Sequence, residues 1–214
     1  MPALLVYAIG FLAQLFFSAR ILVQWLMTER AHKVLSPVVF WVLSLCGSYL
    51  LCVYGWLRTD FSIVLGQFIS YYVYLWNLRA KGVWSGLHPV FRAVLLLTPV
   101  AAICWAAQDA AGFVDSFLRN RSIPLWMVVW GSLGQVIFTF RFVYQLLYSR
   151  RRGESVLPAG FWLMSFTGAV IIVSYGVLRL DPVLILGQSF GLVAYVRNLL
   201  IGRRERETHK TGGA

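Results

Sequence analysis

The chain has 214 residues, and 19 basic against 8 acidic side chains give it a formal charge of +11. Hydrophobic types make up 59% of the sequence and charged types 13%, whereas charged types make up about 25% of an ordinary soluble domain. A soluble fold of this size could not cover so much apolar surface. The composition excludes a soluble enzyme and a disordered chain. Because the basic residues lie between apolar runs, it also excludes a nucleic-acid partner and indicates a multi-pass membrane protein.

Seven apolar stretches are long enough to predict membrane-spanning helices. They cover residues 3–27, 36–57, 60–78, 89–108, 124–148, 157–178 and 181–201. In the loops, the tail and the end of one span, twelve basic residues fall on one predicted side of the membrane, whereas four fall on the other. Since cytoplasmic loops carry the excess of Lys and Arg, we predict the N-terminus outside and the C-terminus inside the cytoplasm.

The sequence also contains an internal repeat. Residues 10–78 align without a gap to residues 131–199, and 24 of the 69 aligned positions are identical. The recurring polar pairs are Gln14 and Gln135, Arg20 and Arg141, Gln24 and Gln145, Ser44 and Ser165, Arg58 and Arg179, Asp60 and Asp181, Gln67 and Gln188, Tyr74 and Tyr195, and Asn77 and Asn198. Polar positions that survive a duplication inside a membrane are informative, because lipid disfavours them.

Each copy has three predicted spans, so the additional span at 89–108 gives both copies the same orientation in the membrane. The predicted architecture is all-α, with two parallel three-helix repeats and a linker helix. The predicted domains are a first repeat at 1–82, a linker helix and outer loop at 83–123, a second repeat at 124–203 and a loose cytoplasmic tail at 204–214.

Two motifs occur in both copies and suggest a family. The motifs are Pro-x-x-Phe-Trp, at 37–41 and 158–162, and Tyr-Gly-x-x-Arg-x-Asp-x-x-x-x-x-Gly-Gln, at 54–67 and 175–188. With them the chain resembles the lipid-A-biosynthesis N-terminal domain group of the PQ-loop/SWEET/SemiSWEET (MtN3-like) superfamily. The resemblance implies a SWEET-like fold and a connection with lipid A. The Trp on which SWEETs stack a sugar is replaced by Leu51 and Ile172, so the resemblance does not extend to that sugar surface.

Arg20 and Arg141 are the strongest candidates for a binding site. Each lies roughly 10 Å inside the cytoplasmic end of its span, at 1.5 Å per residue. A charged residue in a span costs about 2.5–3.5 kcal/mol and usually faces a partner or water. One interpretation is that the side chains reach back to the cytoplasmic headgroups. The other, which we favour, is that two guanidinium groups bind a phosphate.

Further polar residues are assigned to the same predicted path. Gln14 and Gln24 share a helix face with Arg20, as Gln135 and Gln145 do with Arg141, and hydrogen bonding between helices is the alternative role. Gln67, Gln188, Tyr74 and Tyr195 complete the predicted substrate-binding set.

A second set is expected to be structural or to form a gate. In the outer turns we expect Asp60 and Asp181 to cap helices and to pair with Arg58 and Arg179, with an outer gate as the alternative. Asn77 and Asn198 are expected at helix ends. The pairs Phe40-Trp41 and Phe161-Trp162 are typical of aromatic residues at a membrane interface.

No metal-ligand cluster, phosphate-binding loop or catalytic triad is evident in the sequence. We therefore expect no cofactor, no metal ion and no enzymatic activity.

The leading hypothesis is a translocase or binding protein for a polyprenyl-phosphate-linked sugar in the bacterial inner membrane, serving lipid A or envelope glycan modification. Its partners would be this anionic lipid-linked sugar and membrane lipids. One alternative is a SWEET-like facilitator of a small soluble sugar or metabolite. The other is a non-transporting accessory subunit of a membrane glycosyltransferase.

Overall fold

The structure, a computed structural model, describes residues 2–31, 37–119, 123–152 and 158–211. These residues are largely helical and contain no strand. The helices are α1 (Ala3–Ala31), α2 (Val38–Leu57), α3 (Phe61–Ala80), α4 (Val83–Gly86), α5 (Pro89–Gln108), α6 (Ala110–Phe117), α7 (Leu125–Arg152), α8 (Ala159–Leu178) and α9 (Pro182–Thr211). An all-helical chain is what the composition predicts.

Five helices are long and apolar enough to cross a membrane. They are the Ala3–Gln24 part of α1, and α2, α5, α7 and α8. The other two predicted spans are helical but are not among these five. They are α3 and α9, and the apolar part of α9 is the shorter segment Pro182–Arg197. Ser62, Gln67 and Ser70 are buried in α3, and such inward-facing polar residues lower the hydropathy of a helix. Seven spans and their orientation stay a prediction.

Several helices differ from the predicted spans. α1 and α7 continue to Ala31 and Arg152, and α9 continues to Thr211. The predicted tail at 204–214 is therefore helical as far as Thr211, and its looseness stays a prediction. Hydropathy marks only the apolar part of a helix, whereas Arg, Glu and Lys sustain helical backbone equally well. The short helices α4 and α6 were not predicted.

The chain forms two compact units, Met1–Ser132 and Leu133–Ala214. In the first unit α2 packs against both α1 and α3. In the second unit α8 packs against α9 and, through Gly168 and Phe138, against α7. Each unit thus places the three repeat helices in contact through the middle one.

A tight turn joins the second and third helices of the first copy. Thr59 has a positive φ of 48°, and the Asp60 N–H donates to the carbonyl of Gly55 at 2.9 Å. This six-residue closure is the hydrogen-bond pattern of a Schellman motif. Asp60 then begins α3, where its Oδ1 accepts from the Ile63 N–H at 3.3 Å.

The second copy repeats this turn. Leu180 has a φ of 50°, and the Asp181 N–H donates to the Gly176 carbonyl at 2.8 Å. The Asp181 Oδ1 accepts from the N–H groups of Val183 and Leu184 at 3.0 and 3.2 Å. One buried aspartate therefore ends one helix and caps the next in both copies.

Replacing Leu180 by Gly should stabilise the protein, because glycine adopts a positive φ without the steric cost of a Cβ atom. We expect a gain of about 1 kcal/mol, measured by thermal unfolding in detergent. Leu178→Gly is the matched control, since it places glycine in the last turn of α8 and should cost about 1 kcal/mol. Destabilisation by Leu180→Gly would show that the turn is not strained.

α5 is held to the first unit by few contacts. None of its residues is buried, and Pro99 lies inside it. Because proline has no N–H, the carbonyl of Leu95 loses its helical donor. The Tyr71 hydroxyl of α3 donates to that carbonyl at 2.8 Å and so replaces the missing hydrogen bond. The rings of Trp56 and Trp105 stack with centroids 5.9 Å apart and form a second attachment.

The Tyr71 contact can be tested with a double-mutant cycle. Tyr71→Phe leaves the Leu95 carbonyl without its donor and should cost about 0.6–1.7 kcal/mol of stability, the range for polar contacts between membrane helices. In a Pro99→Ala background the backbone supplies the N–H, so the same substitution should cost much less. Equal costs in the two backgrounds, measured by unfolding in detergent, would contradict this role.

Candidate functional site

Arg20 lies in the interior of the first three-helix unit. Its exposed fraction is 7%, and its Nη1 donates to the Ser44 Oγ at 2.9 Å and to the Tyr74 hydroxyl at 3.1 Å. The Ser44 hydroxyl donates its hydrogen to the Phe40 carbonyl at 2.5 Å, so its oxygen can accept a hydrogen bond from Arg20. The guanidinium of α1 is thus bound by one residue of α2 and one of α3.

Aromatic rings surround the same guanidinium. The Arg20 Cζ lies 4.6 Å from the ring centroid of Phe17, 5.2 Å from that of Phe40 and 5.7 Å from that of Tyr74. Rings at these distances attract a cation through their quadrupole. The Arg20 Nε is buried and has no hydrogen-bond partner, and no described carboxylate pairs with this side chain. The surroundings stabilise the positive charge without neutralising it.

The second unit surrounds Arg141 in a similar way. Its exposed fraction is 3%, and its Cζ lies 3.3 Å from the ring centroid of Phe138, 4.5 Å from that of Phe142 and 5.9 Å from that of Phe161. Phe138 and Phe161 stand 121 positions after Phe17 and Phe40. The Ser165 Oγ donates to the Phe161 carbonyl at 2.6 Å, as Ser44 does to Phe40. Both copies therefore build an aromatic site for an arginine.

In each unit, a Trp of the second repeat helix contacts a Tyr of the third repeat helix. The Trp41 and Tyr74 rings have centroids 6.1 Å apart, and those of Trp162 and Tyr195 are 6.3 Å apart. Phe40 and Trp41 are buried, so they face neighbouring helices, and their predicted position at a membrane interface stays a prediction. Phe161 is also buried. Their side chains pack beside the arginines because α2 and α8 turn this face toward their neighbouring helices.

The predicted glutamines differ in burial. Gln67 and Gln135 are buried, and the Gln67 Oε1 has no hydrogen-bond partner. The half-buried members of the predicted set are Gln14, Gln24, Gln145, Gln188 and Tyr195. Arg20 and Arg141 belong to different units, so their action on one ligand stays a prediction.

The remaining predicted residues have local contacts. The Asn77 Nδ2 donates to the Val73 carbonyl of its own helix at 2.8 Å, and the Asn198 side chain lies outside the described part of the chain. The half-buried Arg58 donates to the Tyr7 hydroxyl at 3.0 Å. Arg179 is half-buried as well. Val128 stands at the position that aligns with Tyr7, so that position of the second copy offers no hydroxyl group.

Apart from Tyr74, the residues that hold the arginines were not assigned to the site from the sequence. They are Phe17, Phe40 and Ser44 in the first copy and Phe138, Phe142 and Phe161 in the second. A signal existed for Phe17, Phe40 and Ser44, because each recurs at the offset of 121. Recurrence alone could not show that these residues face an arginine.

Two aligned glycines allow the close approach that creates the sites. A Cβ atom on Gly168 would lie 2.9 Å from the backbone nitrogen of Phe138, whereas one on Gly47 would lie 2.9 Å from a ring atom of Phe17. Small residues at such crossings let membrane helices pack closely. The two glycines therefore set the distance from α1 to α2 and from α7 to α8.

Gly168→Ala should destabilise the protein by about 1–3 kcal/mol through overpacking. Gly47→Ala should cost less, because a phenyl ring can turn where a backbone cannot move. Gly86→Ala is the matched control, since nothing lies within 4 Å of the added methyl group. The measurement is thermal unfolding in detergent, and equal costs at the three positions would contradict the packing argument.

The fold and the two buried arginines define an all-helical membrane protein with a duplicated three-helix unit. The family model described as Lipid A Biosynthesis N-terminal domain matches residues 9–79 and again residues 130–200. Together the matches cover more than half of the chain, which therefore belongs to this family. No solved structure matches the chain significantly.

Three curated relatives illustrate the similarity, and all are named lipid-A-disaccharide synthase. The Chlamydia felis protein is 29% identical over 208 residues, an alignment of 91% of this chain and 33% of the relative. The Chlamydia pneumoniae protein is 28% identical over 212 residues, covering 95% and 34%. The Chlamydia trachomatis serovar D protein is 29% identical over 214 residues, covering 93% and 34%. The chain spans about a third of the length of these relatives.

This comparison corrects one prediction. The expectation of no enzymatic activity is wrong, because the relatives are named for an enzyme. The family and its relatives connect the chain with lipid A biosynthesis.

Proposed function

We propose that this chain binds the phosphate of a polyprenyl-phosphate-linked sugar and moves the headgroup across the bacterial inner membrane for lipid A or envelope glycan synthesis. One observation carries the proposal: each copy buries an arginine among aromatic rings, at Arg20 and Arg141. In this proposal the architecture is SWEET-like, with the N-terminus outside.

The electrostatics favour an anionic ligand. Taking a guanidinium out of water is expensive, and cation–π contacts and neutral hydroxyls recover only part of that cost. At Arg20 no described carboxylate supplies the missing negative charge. A phosphate would supply it, and its oxygens match the guanidinium fork. A neutral soluble sugar would leave the charge unbalanced.

The apolar surroundings favour a ligand with a lipid chain. Large hydrophobic side chains such as Leu15, Val39 and Phe190 are exposed on the helices of both units, as expected for surfaces that contact acyl chains. A lipid tail could stay in the bilayer while its phosphate entered the unit. Membership of a lipid A biosynthesis family supports a lipid-linked substrate.

The relatives favour a second candidate function. They align with this chain over only about a third of their own length and are named as a synthase of the lipid A disaccharide. In this alternative, the chain holds a phosphate-bearing lipid for a membrane glycosyltransferase with which it acts. The same arginines would bind the same kind of headgroup, but the headgroup would not cross the bilayer.

The test is a flipping assay in proteoliposomes with a fluorescent polyprenyl-phosphate sugar. Arg20→Ala/Arg141→Ala should slow flipping at least tenfold, since loss of one charged contact is worth about 1.5–3 kcal/mol. The control is Arg79→Ala/Arg150→Ala, which removes the same charge from each copy at exposed positions and should leave the rate unchanged.

The possible outcomes separate the candidate functions. Equal flipping by the wild type and the Arg20/Arg141 variant would contradict the proposed mechanism. Arginine-dependent binding without flipping, together with co-purification of a glycosyltransferase, would favour the second function. Uptake of a free sugar that does not depend on the arginines would favour a SWEET-like facilitator.

A further inference from the structure

The hydrogen bonds of Arg20 occupy only one corner of its guanidinium. An arginine side chain has five N–H donors, one on Nε and two on each Nη nitrogen. Both hydrogens of Nη1 are taken, because this atom donates to the Ser44 Oγ at 2.9 Å and to the Tyr74 hydroxyl at 3.1 Å. The Nε is buried without a partner, and no hydrogen bond joins Nη2 to another described residue. The unused donors therefore lie along the edge formed by Nε and Nη2.

This edge has the geometry of a two-pronged donor. The Nε–H and one Nη2–H of a guanidinium are parallel, and together they match two oxygens of one phosphate or carboxylate. No described carboxylate pairs with Arg20, although its exposed fraction is only 7%. Because a buried donor without a partner is unusual in a folded protein, the edge indicates a ligand that the described residues do not supply.

Ser44 and Tyr74 can fix the direction of this edge because other contacts hold each of them. The Ser44 hydroxyl donates to the Phe40 carbonyl of its own helix at 2.5 Å, and the Tyr74 ring lies beside Trp41 with centroids 6.1 Å apart. The Arg20 guanidinium is therefore held from α2 and α3, while its backbone belongs to α1. All of these residues lie in the first unit.

We propose that a phosphate binds side-on to the Nε–Nη2 edge of Arg20, and that Ser44 and Tyr74 are positioning residues that orient this edge without touching the ligand. The inference rests on the function proposed above and names the atoms that recognise the headgroup. While Nη1 is held, the end-on pair of Nη1 and Nη2 is blocked, so one edge and one binding geometry remain. The role predicted for Tyr74 changes from a substrate contact to a positioning residue.

The first experiment separates the edge from the charge. Binding of a fluorescent polyprenyl-phosphate sugar to the full chain is measured in nanodiscs, and the part that Arg20→Ala abolishes is assigned to this site. Arg20→Lys keeps the charge and can still donate to Ser44 and Tyr74, but an ammonium has no planar fork. It should weaken this binding about tenfold or more, as expected for a lost charged hydrogen bond. Binding within about twofold of wild type would show that charge alone is recognised and would overturn the inference.

The second experiment tests the positioning. Tyr74→Phe removes one acceptor of Nη1 and keeps the ring, and Ser44→Ala removes the other acceptor. Each should weaken the Arg20-dependent binding about three- to tenfold, as expected for one lost hydrogen bond. The matched controls are Tyr71→Phe and Ser48→Ala, which remove the same groups one turn away on the same helices, where the hydroxyls donate to backbone carbonyls. The controls should bind within about twofold of wild type.

An NMR measurement distinguishes positioning from a purely structural role. With isotope-labelled arginine, the Nε–H resonance of Arg20 is identified by its absence from Arg20→Lys. It should move downfield when the polyprenyl-phosphate sugar binds, because the N–H then forms a charge-assisted hydrogen bond, and this shift should be smaller in Tyr74→Phe. A purely structural role would lower the thermal unfolding temperature of Tyr74→Phe and leave the shift of the folded protein intact. If Tyr74→Phe does not fold, Ser44→Ala provides the same comparison.

The outcomes bear on different claims. An Nε–H resonance that does not move, or equal weakening by Tyr71→Phe and Tyr74→Phe, would overturn the inference and leave the proposed function standing. If the wild type and Arg20→Ala/Arg141→Ala bind the lipid equally, the proposed function itself fails.

Inorganic phosphate, added as a competitor, identifies the source of the phosphate group. Displacement of the lipid only by a large excess supports the lipid-linked headgroup. Equal affinity for the two probes, with the same dependence on Ser44 and Tyr74, would support the edge and contradict the lipid-linked substrate of the proposed function.

Discussion

A positive charge buried between apolar helices is the constraint on which the rest of this structure depends. The Arg20 guanidinium needs acceptors and polarisable surfaces, and α2 and α3 supply them through Ser44, Phe40 and Tyr74. Gly47 lets the α2 backbone approach the ring of Phe17, which is one of the rings around this guanidinium. Packing and electrostatics are therefore coupled: the spacing between the helices determines how well the charge is stabilised.

The duplication provides an internal comparison of what the charge requires. The arginine, the Phe17/Phe138 and Phe40/Phe161 rings beside it, the glycine at the crossing and the capping aspartate all occur in both copies. The Tyr71 contact with Leu95 belongs to the first copy alone, because Leu192 stands at the position that aligns with Tyr71. The repeated features thus belong to the three-helix unit itself, and the Tyr71 contact distinguishes the first copy, to which α5 is attached.

Membership of the lipid A biosynthesis family and the buried cations are independent observations that favour the same chemistry. The family was established by similarity over most of the chain, and the cations by burial and contacts. A phosphate-bearing lipid would be compatible with both. The expectation of no enzymatic activity is overturned by relatives that are named for an enzyme, since a missing motif is not evidence about activity.

Composition and periodicity determined that the chain is a helical membrane protein with a duplicated unit, because hydropathy and repetition are properties of the chain read in order. They also singled out Arg20 and Arg141, since a charge in an apolar run is visible without a structure. The tertiary structure alone decided that Phe40 and Trp41 face inward. It also decided that the Tyr71 hydroxyl donates to the carbonyl of Leu95, which Pro99 leaves without a helical donor. Such contacts depend on how each helix is rotated against its neighbours, and rotation follows from the packing of all three helices together rather than from any one segment.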